Sequence, residues 1–236
     1  MKIGIFTDCH YNKAPLIGGG RRPAASYEKI KISMDAFKEA DVDMCFCLGD
    51  ITDHVEGDTK AEILENYKDI MNLISSYGIP FYLVPGNHDY LMTTKDEIEG
   101  ICRNLPPCVV KTEKCHIIIL DANYRSNMVR FDIAGVEWTD SNLPPEQLEF
   151  LEKALCESDK ECLVLVHENL DPNLHRSHII KNAEAARKII KDSGKVKMVI
   201  QGHFHDGAEN TIDGIPYFTM RAMCEHDEGY FRILEI

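Results

Sequence analysis

The chain alternates short apolar runs with longer segments in which apolar residues recur at helical spacing, a pattern typical of α/β proteins. Five bounded apolar runs are predicted as buried strands, at residues 3–7, 44–49, 81–86, 163–166 and 198–202. Amphipathic helices are predicted from Ser26 to before Asp41, from the Thr59–Glu62 capping box to Gly78, from Pro144-Pro145 through Leu155, and from Ile180 to Lys191. Further strands are expected at Cys115–Leu120, Asn210–Thr219 and Tyr230–Ile236.

Side chains that bind metals follow each of the five predicted strands. They are Asp8 and His10, then Asp50, then Asn87 with its neighbours, then His167, and finally His203 and His205. Because ligands gather beyond the carboxyl ends of the strands in open α/β sheets, we expect these side chains to lie close together. The members of the pairs Asp8/His10 and His203/His205 are two residues apart, so each pair faces one side of an extended segment.

Between Asp8 and His205 these residues occur in the order D-x-H, G-D-x-x-D, G-N-H-D, H and G-H-x-H. This order resembles that of the calcineurin-like metallophosphoesterase superfamily. The resemblance implies an α/β fold of two packed mixed β-sheets flanked by helices, a four-layer αββα sandwich. It also implies a dinuclear-metal phosphoric ester hydrolase, in which a hydroxide that bridges two metal ions attacks the phosphorus in line.

The resemblance assigns a set of ligands to each of the two ions. Asp8, His10 and His205 complete the shell of the first ion, Asn87, His167 and His203 complete that of the second, and Asp50 is the bridge. A carboxylate suits the bridging position because it offers two oxygens and a negative charge to two cations. Mixed imidazole and oxygen ligands favour divalent or trivalent ions of Mn, Fe, Zn, Co or Ni over Ca or Mg.

His88 follows a proposed ligand but is assigned to no metal, and the resemblance places it beside the leaving group. His88 and Asp50 are the two predicted catalytic residues. The reason for His88 is that a properly oriented imidazole can protonate a leaving oxygen or stabilise the transition state. Asp89 is one candidate for the carboxylate that orients His88. Asp53 is expected to brace a metal ligand from behind.

Two loops are expected to contact the substrate. Residues 11–25 follow Asp8 and His10 and contain a Gly-rich stretch that ends in Arg21 and Arg22, and an Arg fork matches a phosphate bidentately. The segment Asp121–Leu143, with Tyr124 and Arg125, is long for a compact domain, and such loops often act as lids. The alternative for the first loop is a surface segment whose arginines face water.

Composition narrows the choice of partners. The 236 residues carry a formal net charge of −13, which disfavours binding of duplex nucleic acid but allows a small phosphorylated substrate at a metal site. The length, without a repeat or linker, predicts a single domain over residues 1–236. The nine cysteines form no C-x-x-C pair, so we interpret them as small core residues of a reducing compartment. Neither a signal peptide nor a membrane span is present in the sequence, and we expect a cytoplasmic protein with no membrane partner.

Three functional hypotheses follow. The first is a phosphoesterase acting on a small phosphorylated compound, with a phosphodiester or a nucleotide diphosphate type favoured. The long loop with its arginines resembles that of manganese-dependent diphosphatases for ADP-ribose and CDP-alcohols, and cyclic-nucleotide phosphodiesterases are the competing branch. The second is a nuclease with the same centre, and the third is a non-catalytic binding or scaffold protein. Trp138 is expected to pack or to anchor a loop, and His178 is expected to have a solvated or structural role. The sequence leaves the oligomeric state open.

Overall fold

The computed structural model describes residues 1–102, 105–132 and 137–236. The first of two mixed sheets contains β1 (Lys2–Phe6), β2 (Met44–Cys47), β3 (Phe81–Leu83) and β10 (Phe231–Glu235), in the order β10-β1-β2-β3. The second contains β4 (Cys108–Lys111), β5 (His116–Ile119), β6 (Cys162–Leu165), β7 (Val196–Gln201), β8 (Ala208–Ile212) and β9 (Ile215–Thr219), in the order β4-β5-β6-β7-β9-β8. In each sheet the inner strands are parallel, and antiparallel strands close the edges at β10, β4 and β8.

Helices cover the outer faces of both sheets. They are α1 (Ser26–Glu39), α2 (Lys60–Ser75), α3 (Lys95–Glu99), α4 (Pro145–Glu157) and α5 (Ala183–Ser193). One buried cluster joins α1 and α2 to the first sheet, and a second joins α4 and α5 to the second sheet. The predicted four-layer αββα sandwich is therefore confirmed. The assignment of residues 1–236 to a single domain stays a prediction.

Because side chains alternate between the two faces of a strand, β1 contributes residues to two separate buried clusters. Ile3 and Ile5 pack against the second sheet, in a cluster that also contains Leu165 and Ile200. Phe6, on the other face of β1, packs against the helical layer. Because side chains alternate between faces, a strand between two cores must be apolar at nearly every position, as this one is.

The predicted helix boundaries agree with the structure at the caps. Thr59 accepts a hydrogen bond from the Glu62 amide, and the Glu62 side chain accepts one from the Thr59 amide, which is the predicted capping box. Gly194 ends α5 in the left-handed conformation that glycine adopts without steric cost. No separate strand is predicted at β4, because its four residues at the sheet edge carry no ligand and little periodicity.

Two composition-based expectations can also be compared with the structure. Seven of the nine cysteines are buried, but Cys156 is exposed and Cys108 is partly so. The prediction of core positions is therefore wrong for Cys156, which is exposed near the C-terminal end of α4. Among the described residues, no helix is both long and apolar enough to span a membrane.

The packing of Gly4 against Phe37 gives a testable prediction for the fold. A Cβ on Gly4 would lie 2.6 Å from atoms of the fully buried Phe37 ring, so Gly4→Ala forces the ring or the strand to shift. We expect a loss of about 1–3 kcal/mol in the free energy of unfolding. Urea unfolding at one fixed metal concentration measures it.

Phe37→Leu should relieve part of this clash, so the double variant should lose less than the sum of the two single variants. Ile32→Ala is the matched control, since this side chain on the same helix is 45% exposed and should change stability by less than about 0.5 kcal/mol. Strict additivity of Gly4→Ala and Phe37→Leu would contradict the assigned contact.

Candidate metal centre

The carboxyl ends of five strands bring the predicted ligands together. Four groups of three donors, with the donor atoms of each group within 4.8 Å of one another, can be recognised among the described residues, and two of these groups contain Asp50. The first of these two adds Asp8 and His10 to Asp50, and the second adds His167 and His203. His205 joins the first group through its ring, whose Nε2 lies 3.2 Å from His10 Nε2.

The distances between donor atoms suit shared metal ions. One oxygen of Asp50, Oδ2, lies 3.5 Å from His10 Nε2 and 3.4 Å from His167 Nε2. Asp8 Oδ1 lies 3.4 Å from His205 Nε2. Donors that bind one ion at zinc–nitrogen distances stand roughly 3.3 Å apart in a tetrahedron, so this spacing is what a bound ion requires.

Several donor atoms are buried without any hydrogen-bond partner. They are Asp8 Oδ1, Asn87 Oδ1, His167 Nε2 and His203 Nε2. A buried polar atom that lacks a partner costs about 1–3 kcal/mol, and natural proteins rarely leave several side by side. Their convergence in one place fits a site for cations.

Other side chains and backbone groups hold the ligands so that the correct atom faces the site. The Leu48 carbonyl lies 2.5 Å from His167 Nδ1, and a Glu225 oxygen lies 2.6 Å from His205 Nδ1. A proton on each Nδ1 satisfies these acceptors and leaves each Nε2 free to bind metal. Asp8 is held similarly, because its Oδ2 accepts hydrogen bonds from the Thr7 hydroxyl at 2.6 Å and the His203 amide at 3.1 Å, leaving Oδ1 toward the site.

Backbone conformation at the ligands is unusual. Asp8, His10, Asp50 and His203 all have positive φ, between 46° and 66°. Non-glycine residues adopt this region infrequently, and such strain persists only where the surrounding structure enforces it. Four of the seven described non-glycine residues with positive φ are thus predicted metal ligands.

Two glycines of the motifs lie where there is no room for a side chain. A Cβ on Gly86 would lie 2.2 Å from Asp50 Oδ1, and a Cβ on Gly202 would lie 2.3 Å from Thr7 Oγ1 and 2.8 Å from Asp8 Oδ2. Any side chain at either position would displace a carboxylate of the site. The glycines in G-N-H-D and G-H-x-H therefore let the ligand loops approach each other.

Opposite charges offset the burial of Asp50. Burial alone would raise the pKa of this carboxyl, but the imidazoles of His167, His88 and His10 hold it well below its usual range. For His88 burial would lower the pKa, yet the carboxylates of Asp50 and Asp53 raise it above the usual histidine value. A negative charge at Asp50 is thus favoured even though the residue is only 1% exposed.

The carboxylate that orients His88 is Asp53. Asp53 Oδ1 lies 2.8 Å from His88 Nδ1, while Asp53 Oδ2 lies 3.2 Å from His10 Nδ1 and 2.7 Å from Arg21 Nη1. Asp53 therefore braces a predicted ligand, as expected, and also positions the predicted catalytic imidazole. His88 itself is fixed at the backbone, where its amide donates to Asp50 Oδ1 at 2.7 Å.

The suggestion that Asp89 orients His88 is wrong. The Asp89 carboxylate accepts hydrogen bonds from the backbone amides of Asp50, Ile51 and Gly86 at 2.8–3.0 Å, and from the Tyr67 hydroxyl. The physical reason is the 3₁₀ turn His88–Tyr90, in which successive side chains point about 120° apart. Asp89 thus lies behind the site and clamps two ligand loops together.

The donors open into a cavity of about 380 Å³. Its lining includes Arg21, Asp50, Asn87, His88, Trp138, His178, His203, Phe204, His205, Asp206 and Glu225. Of the four predicted substrate-binding residues, Arg21 alone lines this cavity, and its side chain is only 18% exposed. The side chains of the other three lie outside the cavity lining and interact with protein groups.

Arg22, Tyr124 and Arg125, which are also predicted to contact substrate, do not line this cavity. Arg22 forms an ion pair with Asp227 at 2.8 Å and donates to the Glu225 carbonyl, because adjacent residues of an extended segment face opposite sides. The Tyr124 hydroxyl bonds to Arg130, and Arg125 pairs with Asp132 at 3.1 Å. The segment Asp121–Leu143 reaches the cavity through Trp138 instead.

Trp138, His178, Phe204, Asp206 and Glu225 were not predicted as site residues. The motif G-H-x-H contains Phe204 and precedes Asp206, so proximity to the ligands was a usable signal for these two. Glu225 comes 20 residues after His205, in a loop with no motif, and nothing in the sequence indicates its contact. The expectation of a packing or loop-anchoring role for Trp138 and of a solvated or structural role for His178 missed their position on the cavity wall.

The chain is similar in sequence and in fold to several known proteins. A probable cyclic nucleotide phosphodiesterase of Psychrobacter arcticus is 21% identical over 84% of this chain and 69% of its own length. A probable glycerophosphodiester phosphodiesterase of Arcobacter nitrofigilis is 27% identical over 69% of this chain and 56% of its own length. The crystal structure of a dimetal phosphatase from Danio rerio superposes with a TM-score of 0.78 at 16% identity, over 98% of this chain and 91% of the other.

The family profile described as calcineurin-like phosphoesterase matches residues 1–207, which include every predicted metal ligand. The profile therefore covers both sheets up to the end of β7 and all five strand ends that carry donors. On this match, and with the fold in agreement, the protein belongs to the calcineurin-like phosphoesterase family of dimetal-dependent phosphoric ester hydrolases.

Proposed function

We propose that this phosphoesterase hydrolyses a small phosphodiester or a nucleotide-type diphosphate at a dinuclear metal centre. Asp8, His10 and His205 would hold one ion, Asn87, His167 and His203 the other, and Asp50 would contact both. The observation that carries this proposal is the membership of Asp50 in two converging groups of donors that contain unpaired buried atoms. The relatives named as phosphodiesterases support the diester class.

The donor set also bears on the identity of the ions. Imidazole nitrogens combined with carboxylate and amide oxygens favour Mn, Fe, Zn, Co or Ni over Ca or Mg. When bound, two such ions lower the pKa of coordinated water and neutralise charge on phosphoryl oxygens. The chain's own contribution is to fix the donors, exclude bulk water and provide the groups around the substrate.

His88 is the proposed group that acts on the leaving oxygen. Its ring lies on the cavity wall, and the side chain is 21% exposed, so it can reach a substrate. Asp53 binds Nδ1, and the Arg21 guanidinium lies 3.5 Å from Nε2 on the cavity side. A substrate oxygen that takes the place of this contact would meet Nε2, which could then donate a proton or a hydrogen bond. The raised pKa of His88 favours the protonated ring that an acid needs.

Arg21 is the proposed contact for a phosphate oxygen beyond the metals. Asp53 holds its guanidinium at 2.7 Å, which fixes the side chain against the cavity wall beside His88. A guanidinium presents several donors in a planar fork, so it can bind Asp53 and a phosphate at once. A substrate with a second phosphate or a diester oxygen at this position would benefit most.

A small substrate suits the cavity better than a polynucleotide does. A volume of about 380 Å³ is typical of small-molecule sites, and the acidic residues Asp206 and Glu225 on its wall oppose a phosphate backbone. This disfavours the nuclease hypothesis. The filled ligand set likewise disfavours a non-catalytic scaffold, which needs no converging unpaired donors.

The first functional prediction concerns metal content. Reconstituted protein should contain close to two metal ions per chain by elemental analysis, and Asp50→Asn should lose both ions and turnover, because the charge between them is removed. Asp171→Asn is the control, since this buried carboxylate binds Asn210 outside the cavity. One ion per chain with full activity, or an Asp50→Asn variant that keeps wild-type activity at limiting metal, would refute the shared ligand.

The second prediction separates the roles of His88. His88→Ala should keep both metals but lose about 10²–10⁴ in rate on an alkyl ester, whose poor leaving group needs a proton. With an aryl ester the loss should be much smaller. His54→Ala, which removes a histidine beside the same Asp53, should behave like the wild type. Equal losses on both esters would exclude an acid role.

The third prediction uses two neighbouring arginines with opposite orientations. Arg21→Ala should lower kcat/KM for a nucleoside diphosphate compound roughly ten- to a hundredfold, because one charge-assisted contact is lost. Arg22→Ala should have little effect, since Arg22 pairs with Asp227 away from the cavity. Metal content measured on both variants guards against an indirect effect through Asp53. Equal effects of the two substitutions would remove Arg21 from the substrate site.

A further inference from the structure

An aromatic wall lies beside the proposed metal centre, and the chemistry proposed above does not use it. It consists of Trp138, His178 and Phe204, all of which line the cavity. The Trp138 ring lies 5.2 Å from that of His178, and the His178 ring lies 5.2 Å from that of Phe204. Trp138 also lies 5.7 Å from the ring of His203, a predicted metal ligand. The aromatic wall is thus continuous with the metal centre.

The exposure of Trp138 requires an explanation. This residue is the chain's single tryptophan, and its side chain is 40% exposed. Tryptophan is the largest apolar side chain, so leaving it open to water sacrifices burial that the core could have used. The other large hydrophobic side chains that are exposed among the described residues lie outside this cavity, namely Leu16, Tyr27, Ile32, Met128 and Val129.

The charges around the aromatic wall limit what can bind there. Asp206 is exposed on the same cavity wall, and Glu225 lies on it as the partner of His205. A second phosphate would be repelled by these carboxylates, so it belongs near Arg21 rather than near Trp138. The group at the aromatic wall is therefore uncharged or cationic.

Ring geometry decides between a flat group and a spherical cation. A quaternary ammonium is usually held by several aromatic faces that enclose it. Here the rings meet each other at angles of 55° to 82°, so they pack against one another, and Trp138 is the exposed member. One open aromatic face suits a planar group, which gains most of its contact by stacking on a single side.

We propose that the aromatic wall is a stacking subsite for the nucleobase of the substrate, with Trp138 as the main specificity residue. The inference rests on the proposed function and refines it, since a nucleoside attached to the phosphorus at the metal centre would extend along this wall. A cavity of about 380 Å³ has room for a group of that size next to the phosphate. Trp138 thereby gives the segment Asp121–Leu143 a role in substrate selection.

Two esters with the same leaving group test the subsite. Thymidine 5′-(p-nitrophenyl phosphate) carries a base, whereas methyl p-nitrophenyl phosphate does not. Trp138→Ala should lower kcat/KM for the thymidine ester roughly 5- to 150-fold, the range for loss of one aromatic–base stack, and should affect the methyl ester far less. Trp138→Phe should restore most of the difference, because a flat ring remains. Val129→Ala, at an exposed position of the same segment, is the control and should change neither ester.

A binding experiment gives an independent readout from the single tryptophan. Adenosine 5′-monophosphate should quench the fluorescence of the metal-loaded protein saturably, whereas ribose 5-phosphate, which lacks the base, should not. Equal quenching by both, or by neither, would overturn the proposal. So would equal losses on the two esters in Trp138→Ala.

The outcomes separate this inference from the proposed function. If the metal-loaded wild type hydrolyses neither ester, the proposed function fails, and the fluorescence experiment still judges the aromatic wall. If both esters are hydrolysed but Trp138→Ala affects them alike, the function stands and the subsite is refuted. A p-nitrophenyl ester of phosphocholine that depends on Trp138 more strongly than the thymidine ester does would assign the wall to a cation instead.

Discussion

The structure depends on one buried carboxylate, that of Asp50. A lone charge at 1% exposure is unfavourable, and this one is stabilised by three imidazoles around it and by the His88 amide. The ligand loops are arranged to keep this charge in place. Asp89 clamps the backbone on both sides of Asp50 to that of Gly86, and Gly86 lacks the Cβ that would strike the carboxylate. The fold thus concentrates its unusual features at this position.

The same constraint explains why function and stability are in tension here. Positive φ at four predicted ligands and a set of unpaired donor atoms are unfavourable without a ligand, and apolar layers on both sides of each sheet must offset them. Bound cations would pair the donor atoms and offset these costs, because a species that binds the native state alone stabilises it. The two packed sheets therefore hold the predicted metal ligands in position before any ion binds.

Much of this arrangement could be predicted from the sequence, because five apolar strands are each followed by a metal-binding type of side chain. Each apolar run ends in a donor, and parallel strands bring their ends together, so Asp8, Asp50 and His203 were found without any distances. The directions of side chains that are adjacent in sequence were harder to predict, because they depend on the local backbone conformation. A 3₁₀ turn sends Asp89 behind the site, and an extended segment separates Arg21 from Arg22. Glu225 and Trp138 reach the site from loops without periodicity, so only tertiary structure reveals them.

The measurement that tests the account most directly is electron paramagnetic resonance of the protein loaded with Mn²⁺. Two ions that share Asp50 would lie about 3.5–4 Å apart, as in other two-metal sites, and ions at that distance are magnetically coupled. The account predicts the spectrum of an exchange-coupled pair, which converts to that of isolated Mn²⁺ or disappears in Asp50→Asn. A wild-type spectrum of uncoupled ions at full occupancy and full activity would contradict the shared carboxylate.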